Sequence, residues 1–283
     1  MPAQAGCGFW TGALGALEFG VVDEAGVAWT WRGLDAWDGP ATAGTVAQRS
    51  GDHGGWAGPQ YYAPRTLTLR VSADAPSQAA RDDARARLRA AAPVNALTVL
   101  RYDEPTPKQC SVRRSGSLTE ACPTLTSADF EVGLVAPDPR WYGAEPHEVS
   151  IPAVNTVSAA GISLPITPPF TFAEAPPGGS VTVVNAGTFE SRPLVTLTGA
   201  IASPAITHLG SGAQVSFPGL ELVAGDVLVL DLDLRQATYN GAFRAASPTS
   251  GWWVMEPGEN SLRLDGASVD SAVMTVTWRD AWI

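Results

Sequence analysis

Short runs of alternating apolar and polar residues recur along the sequence, and this pattern predicts β-strands. Four such runs lie in the first half, at residues 28–31, 66–71, 97–101 and 130–135. In the second run, Leu67, Leu69 and Val71 fall on one face, because successive strand residues point to opposite sides. The first half is therefore predicted to form a sheet with one buried face and one solvated face.

One segment between these runs has the pattern of a helix, predicted over residues 77–92. Ser77 is placed to cap its start, acidic residues come early, arginines come late, and Pro93 ends it. Four small or apolar residues form a narrow stripe that suits close packing on a sheet: Ala80, Ala84, Leu88 and Ala91. Another face carries Arg81, Arg85 and Arg89. We expect a solvated face there, with a partner-binding surface as the alternative.

The second half changes in composition and then becomes rich in short strands. Residues 145–179 carry repeated prolines, which predict a linker with edge segments. Beyond them, eight strands are predicted, at 180–184, 193–197, 214–217, 227–234, 237–239, 242–244, 261–264 and 272–278. Asn240 and Gly241 predict a type I′ hairpin turn, whose two central residues both need positive φ. Eight strands without a helix predict a β-sandwich.

Composition narrows the possible partners. The formal net charge is -10 and the pI is near 4.7, so nucleic acid, with its negative phosphates, is a poor candidate. The first 19 residues carry no cationic segment before their apolar positions, and no apolar run approaches the roughly 20 residues of a membrane span. We therefore expect a soluble protein, made in a cytoplasm without a secretion signal and without membrane insertion.

Three cysteines, Cys7, Cys110 and Cys122, fit neither a CxxC nor a zinc pattern. If the chain formed a hairpin turning at residues 115–117, Cys110 and Cys122 would face each other and one disulfide would be possible. Reduced thiols packed as small apolar groups are the favoured alternative.

The sequence offers little material for catalysis. It has three histidines, His53, His147 and His208, and it lacks the GxSxG, HExxH, Walker A and GxGxxG motifs. Asp231 and Asp233 alternate with leucines, so a strand would put both carboxylates on one face, as in a glycosidase pair or a cation site. The solvent face of a half-buried strand is the simpler interpretation. We expect no enzyme activity, no cofactor and no metal.

The sequence contains ten tryptophans, a high number, and two of them, Trp252 and Trp253, are adjacent. A sugar ring could stack on such an aromatic surface. Because neighbouring strand residues point to opposite faces, one of the pair should be core and the other available. Aromatic residues also dominate the energy of contacts between subunits, which makes the same side chains candidates for an interface.

Several strings occur in an order that resembles the distal tail (Dit) proteins of siphophages, in particular the minor tail proteins of this type in actinobacteriophages. They are DGP at 38–40, GGWAGPQYYAPRTLTL at 54–69, APDPRWY at 136–142, NAGTFESRP at 185–193, Trp253 with PGEN at 257–260, and WRDAWI at 278–283. Together they span nearly the whole chain.

The resemblance implies a mainly β protein without catalytic residues. Its domains would be a β-rich ring-forming domain with one α-helix at 1–144, a Pro-rich linker at 145–179, and a galectin-like β-sandwich at 180–283. Six copies would form a ring at the tail tip of the virion, joining tail tube to hub or baseplate, with the tape measure and receptor-binding proteins as further partners. Interface candidates are Arg81, Arg85, Arg89, Trp141 and Tyr142. The alternative function is a tail-tip carbohydrate-binding module that contacts the host surface through Trp252 or Trp253.

Overall fold

The computed structural model describes residues 11–35, 39–103, 105–153 and 179–283. The chain divides into two compact units, Met1–Ala144 (with Ile283) and Glu145–Trp282. Strands dominate both units, and the described residues contain one helix, so the predicted mainly β fold is confirmed. Cys7, the string at 38–40 in part, and residues 154–178 of the predicted linker lie outside the described residues.

The elements of the first unit follow one another as ten strands and a helix. They are β1 (Gly12–Leu14), β2 (Leu17–Phe19), β3 (Ala28–Asp35), β4 (Thr42–Gln48), β5 (Gly55–Tyr62), β6 (Arg65–Asp74), α1 (Gln78–Ala91), β7 (Thr98–Tyr102), β8 (Lys108–Ala121), β9 (Ser127–Ala136) and β10 (Trp141–Gly143).

The main sheet of the first unit is antiparallel, in the order β2-β1-β7-β8-β9-β6-β3, with β10 paired to β8. Strands β6 and β9 pair over ten consecutive positions. Leu67, Leu69 and Val71 are buried as predicted, and they lie in the core with Trp29 and Phe130. The alternation in the sequence therefore identified the inner face of this sheet correctly.

Helix α1 begins where the sequence predicted, with the Ser77 hydroxyl accepting a hydrogen bond from the Ala80 backbone at 3.2 Å. Its buried residues are Arg81, Ala84 and Leu88. The prediction that Arg81 belongs to a solvated face was therefore wrong. Its guanidinium bonds to Asp82 at 2.7 Å, so the charge keeps a partner although the side chain is buried.

The hairpin at residues 115–117, on which a disulfide would have depended, does not form, because β8 runs continuously from 108 to 121. A register shift between Arg114 and Leu118 lets the strand absorb the extra residues while it pairs with β9. Cys110 lies near the start of β8 and Cys122 one residue beyond its end, so the strand holds the two thiols apart. Both are free thiols, and burial raises the pKa of Cys110. A disulfide between them is thus excluded.

The second unit contains the remaining strands. They are β11 (His147–Pro152), β12 (Ser180–Asn185), β13 (Leu194–His208), β14 (Gln214–Ser216), β15 (Glu221–Leu222), β16 (Val227–Asp231), β17 (Gln236–Tyr239), β18 (Ala242–Arg244), β19 (Gly258–Trp278) and β20 (Ala281–Trp282).

Two long strands, β13 and β19, pair with each other and build both layers of a sandwich. One end of the pair carries β11 on one side and β16, β17 and β18 on the other, while the other end carries β12, β14 and β15. Register shifts separate the two ends. Val195, Leu197, Ile206, Leu262 and Val276 come from both ends and share one core. The predicted β-sandwich is confirmed.

Three local predictions for this unit have different outcomes. Asn240 and Gly241 have φ of 48° and 81°, so the predicted hairpin turn is confirmed. The strands predicted at 261–264 and 272–278 are parts of one strand, β19. The first part of the predicted linker includes β11, which pairs with β19 over six positions and is part of the sandwich.

The string at 185–193 acquires a structural role in the sandwich. The Asn185 amide is fully buried and donates to the carbonyl oxygens of Phe189 and Met255 at 2.8 and 3.3 Å. Its oxygen accepts the backbone N–H groups of Gly187 and Ala281 at 3.1 and 3.2 Å. One side chain therefore joins three chain segments that are distant in sequence.

Candidate assembly surface

Strands β4 and β5 carry several exposed apolar and aromatic residues and form a two-stranded sheet of their own. We call residues 42–62 the arm. All residues of β4 are exposed, and so are most of β5. Trp56 and Tyr61 are 65% and 72% exposed, and Val46 and Tyr62 are also exposed. An isolated two-stranded hairpin is marginally stable in water, so the arm gains little from its own packing.

The tip of the arm is the glycine-rich turn at residues 51–55. Gly51 and Gly54 have φ of 80° and 90°, which other residues rarely adopt. The Arg49 guanidinium lies 4.5 Å from the ring centre of Trp56, and the Arg49 backbone donates to the Gly54 carbonyl at 3.1 Å. A side chain at Gly55 would place its Cβ 2.6 Å from a Val46 methyl. The glycines thus permit close strand pairing while the aromatic ring stays at the surface.

The predicted interface residues occupy different environments. Trp141 is buried, with its ring edge-on to Tyr102 at 5.2 Å. Tyr142 is half-buried and donates its hydroxyl to Asp138 at 2.6 Å. On the helix, Arg81 is buried, Arg85 bonds to Glu120 of β8 at 2.6 Å, and Arg89 is exposed. Burial leaves little of Trp141 and Arg81 for a neighbouring subunit.

Residues 54–62 of the arm lie in the string at 54–69, but no pattern in the sequence predicted that the arm is a surface. Its aromatic residues would ordinarily indicate a buried strand face. No local signal shows that both faces of a hairpin are solvated, because this depends on which strands lie beside it. The available hint was the run of Gly and Pro residues among the aromatics.

Of the two adjacent tryptophans of the second unit, one is buried and the other is accessible, as expected, although both lie in a loop and not in a strand. Trp253 is buried and stacks on His208, with ring centres 5.4 Å apart. Trp252 is half-buried and lines a surface recess of about 320 Å³ together with Phe243. Only Trp252 is therefore available to a ligand.

The histidine beside Trp253 is held by hydrogen bonds to its neighbours. The Asn260 amide nitrogen donates to two carbonyl oxygens, so its oxygen is the acceptor facing His208 Nε2 at 3.1 Å. His208 Nδ1 accepts the Ser211 backbone N–H at 3.2 Å. Both ring nitrogens of His208 thus have hydrogen-bond partners within the fold, and the residue has a structural role.

The acidic pair of the second unit is also structural. Strand β16 ends at Asp231, so Asp233 lies in the following turn, and the prediction that both lie on one strand was wrong. Asp231 accepts the backbone N–H groups of Asp233 and Leu234, both at 2.9 Å. Asp233 pairs with Arg192 at 2.7 Å. These contacts leave the two carboxylates as turn-stabilising groups.

Among the described residues, no three or more His, Cys, Asp or Glu side chains are grouped so that they could hold a metal ion. No helix in the described ranges has the length and apolar character to cross a bilayer.

These observations define a two-unit β protein with an exposed aromatic arm in the first unit and a β-sandwich in the second. Residues 186–282 match the family model of the siphovirus-type tail component, C-terminal domain. The fold resembles the crystal structure of the Dit protein of phage SPP1, with a TM-score of 0.58 at 13% identity, covering 90% of this chain and 94% of that one. The predicted resemblance to siphophage distal tail proteins is confirmed.

Two structures of the phage P2 baseplate in its activated conformation, with Ca and with Sr, are more distant. Each has a TM-score of 0.49, at 12% and 11% identity, and each covers 95% of this chain and 96% of its own. No curated protein matches the sequence.

Proposed function

We propose that this chain is a structural virion protein that forms the distal ring at the tail tip of a long-tailed phage. The match of residues 186–282 to a siphovirus-type tail component carries this proposal. The SPP1 Dit protein, whose fold the chain shares, is described as a paradigm of the hub adsorption apparatus in phages that infect Gram-positive bacteria. The ring would join the tail tube to the hub or baseplate, and it would perform no reaction.

The arm is the element we assign to the contact between neighbouring copies. A cyclic ring uses heterologous contacts, in which one patch of a subunit meets a different patch of the next. Trp and Tyr are enriched among residues that dominate such interfaces, each contributing about 2 kcal/mol or more when fully desolvated. Trp56 and Tyr61 are rigid, amphipathic and more than half exposed, so burial against a second copy would remove a large apolar surface from water.

Six copies would complete the ring, with the galectin-like sandwich outside it. The expected partners are the tail tube protein and the tail hub protein, with the tape measure and receptor-binding proteins beside them. Assembly would take place in the host cytoplasm.

The test is native mass spectrometry of the chain at micromolar concentration, followed by negative-stain imaging. We expect closed rings of six, and mainly monomers for a double variant, Trp56→Ala with Tyr61→Ala. Leu125→Ala is the matched control, since Leu125 is equally exposed but lies outside the arm. A wild-type chain that stays monomeric alone and with its tail tube protein would refute the ring. Rings that persist in the double variant would refute the role of the arm.

A further inference from the structure

The recess beside Trp252 in the second unit combines two aromatic side chains with two arginines. It lies between the β17-β18 hairpin and the loop at 245–252, and it is lined by Arg235, Phe243, Arg244 and Trp252 among others. Phe243, at 73%, is the most exposed large apolar side chain among the described residues. An aromatic ring held at the surface beside hydrogen-bond donors is a feature of carbohydrate sites.

The charge of the recess is opposite to that of the protein. None of its lining residues is acidic, whereas the whole chain has a net charge of -10. Arg235 is exposed and Arg244 is half-buried, and neither forms a salt bridge with an acidic side chain among the described residues. Their guanidinium groups therefore keep N–H donors that an anionic group in the recess could accept.

One wall of the recess is fixed by the sandwich. The Ser247 and Gly251 backbone N–H groups donate to carbonyl oxygens of β14 at 2.8 and 2.9 Å. The Ser250 hydroxyl accepts the Ser216 backbone N–H at 3.1 Å. Strand β18, which carries Phe243 and Arg244, is held by the Asn240-Gly241 turn and by three pairs with β17. The lining side chains therefore project from an anchored backbone, which lowers the entropy cost of binding.

We propose that this recess binds a saccharide unit that carries a carboxylate or phosphate group. The sugar ring would stack on Phe243, with Trp252 beside it, and the anionic group would accept hydrogen bonds from Arg244 and Arg235. An acidic peptide would satisfy the arginines but would gain little from the flat aromatic surfaces. The inference goes beyond the ring proposal and does not depend on the arm, so the site should bind in the ring and in the monomeric arm variant alike.

The test uses four probes: oligogalacturonate for carboxylate, a glycosylated glycerol-phosphate oligomer for phosphate, a neutral malto-oligosaccharide, and poly-glutamate. Affinities are measured by isothermal titration calorimetry on wild type, Phe243→Ala and Arg244→Gln. Leu234→Ala and Arg263→Gln are the matched controls, because Leu234 is also exposed and Arg263 is already paired with Asp265. Circular dichroism confirms that each variant is folded.

We expect one or both acidic saccharides to bind, and the affinity to fall about tenfold or more in Phe243→Ala and in Arg244→Gln but not in the controls. Added salt should weaken binding, because part of the contact is ionic. The carboxylate and phosphate probes identify which anion is preferred. Failure of both acidic saccharides to bind, binding of poly-glutamate as tight as that of the sugars, or unchanged affinity in Phe243→Ala would each overturn the proposal.

Discussion

Replacing Asn185 by aspartate tests whether one buried amide holds the sandwich together. The substitution preserves shape but removes both N–H donors and introduces a carboxylate. The carbonyl oxygens of Phe189 and Met255, now 2.8 and 3.3 Å from the amide nitrogen, would then face a negatively charged oxygen. The two backbone N–H groups on the other side would keep an acceptor. The substitution therefore removes only the two hydrogen bonds that the amide nitrogen donates.

The magnitude follows from burial, because the Asn185 side chain has no access to water. Leaving a buried polar group without its partner costs about 1–3 kcal/mol, and a buried charge without a countercharge costs more. We expect Asn185→Asp to lower the free energy of unfolding of the second unit by about 3–5 kcal/mol at neutral pH. Asn185→Ala should cost a similar amount, because it leaves the N–H groups of Gly187 and Ala281 without an acceptor.

The dependence on pH separates the two variants. Burial and the facing carbonyls should raise the pKa of the introduced carboxyl above its unfolded value, so protonation favours the folded state. Lowering the pH from 7 to 5 should therefore recover part of the stability lost in Asn185→Asp and none of that lost in Asn185→Ala. Urea denaturation, with hydrogen exchange of peptides from residues 185–193, measures both. Asn95→Asp is the exposed control. A loss below about 1 kcal/mol in both variants would contradict this reasoning.

Three further predictions test other parts of the fold. Gly187→Ala should lower the melting temperature of the second unit sharply, because the new Cβ would lie 1.8 Å from the Ala281 carbonyl oxygen; an unchanged melting curve would contradict the close approach. Ser77→Ala should cost about 1 kcal/mol in urea denaturation, since the Ala80 N–H loses its cap, whereas Ser77→Asp should retain most of the stability. Burial raises the pKa of Tyr102 to about 12, so absorbance at alkaline pH should show its phenol ionising after exposed tyrosines. Because the buried phenol is favoured in its neutral form, its contribution to the free energy of unfolding is complete below pH 10 and is lost as the pH rises towards 12. Ionisation of Tyr102 together with the exposed tyrosines would refute this.

The parts of the fold that the sequence predicted are those specified by local signals. Helix α1 has its cap, its charge order and its stop between Ser77 and Pro93, and the inner face of β6 follows from simple alternation. A glycine by itself is a weaker signal for a turn. Gly116 lies at positive φ, as a turn glycine would, but it belongs to the irregular stretch within β8 and the strand does not reverse.

Contacts between distant residues could not be predicted in the same way. The partners of Asn185 are separated from it by 2 to 96 positions, and only the folded chain brings them together. Trp252 was identified as a candidate from its neighbour Trp253, but Phe243 and Arg244 join it only because the Asn240-Gly241 turn returns β18 towards the loop. The sequence thus predicted that an aromatic residue, Trp252, could bind a ligand, but it did not predict which other residues line the recess.

Variants of the arm can distinguish an effect on folding from an effect on the proposed assembly. Exposed Trp56 and Tyr61 add nothing to the core of the first unit, and exposed aromatic residues on a two-stranded hairpin favour aggregation. In a closed ring, each arm would be covered by a neighbouring copy, so the apolar surface of both side chains would be removed from water in every subunit. The Trp56 and Tyr61 variants should therefore make the isolated chain more soluble while they weaken assembly, a combination that a role in folding would not produce.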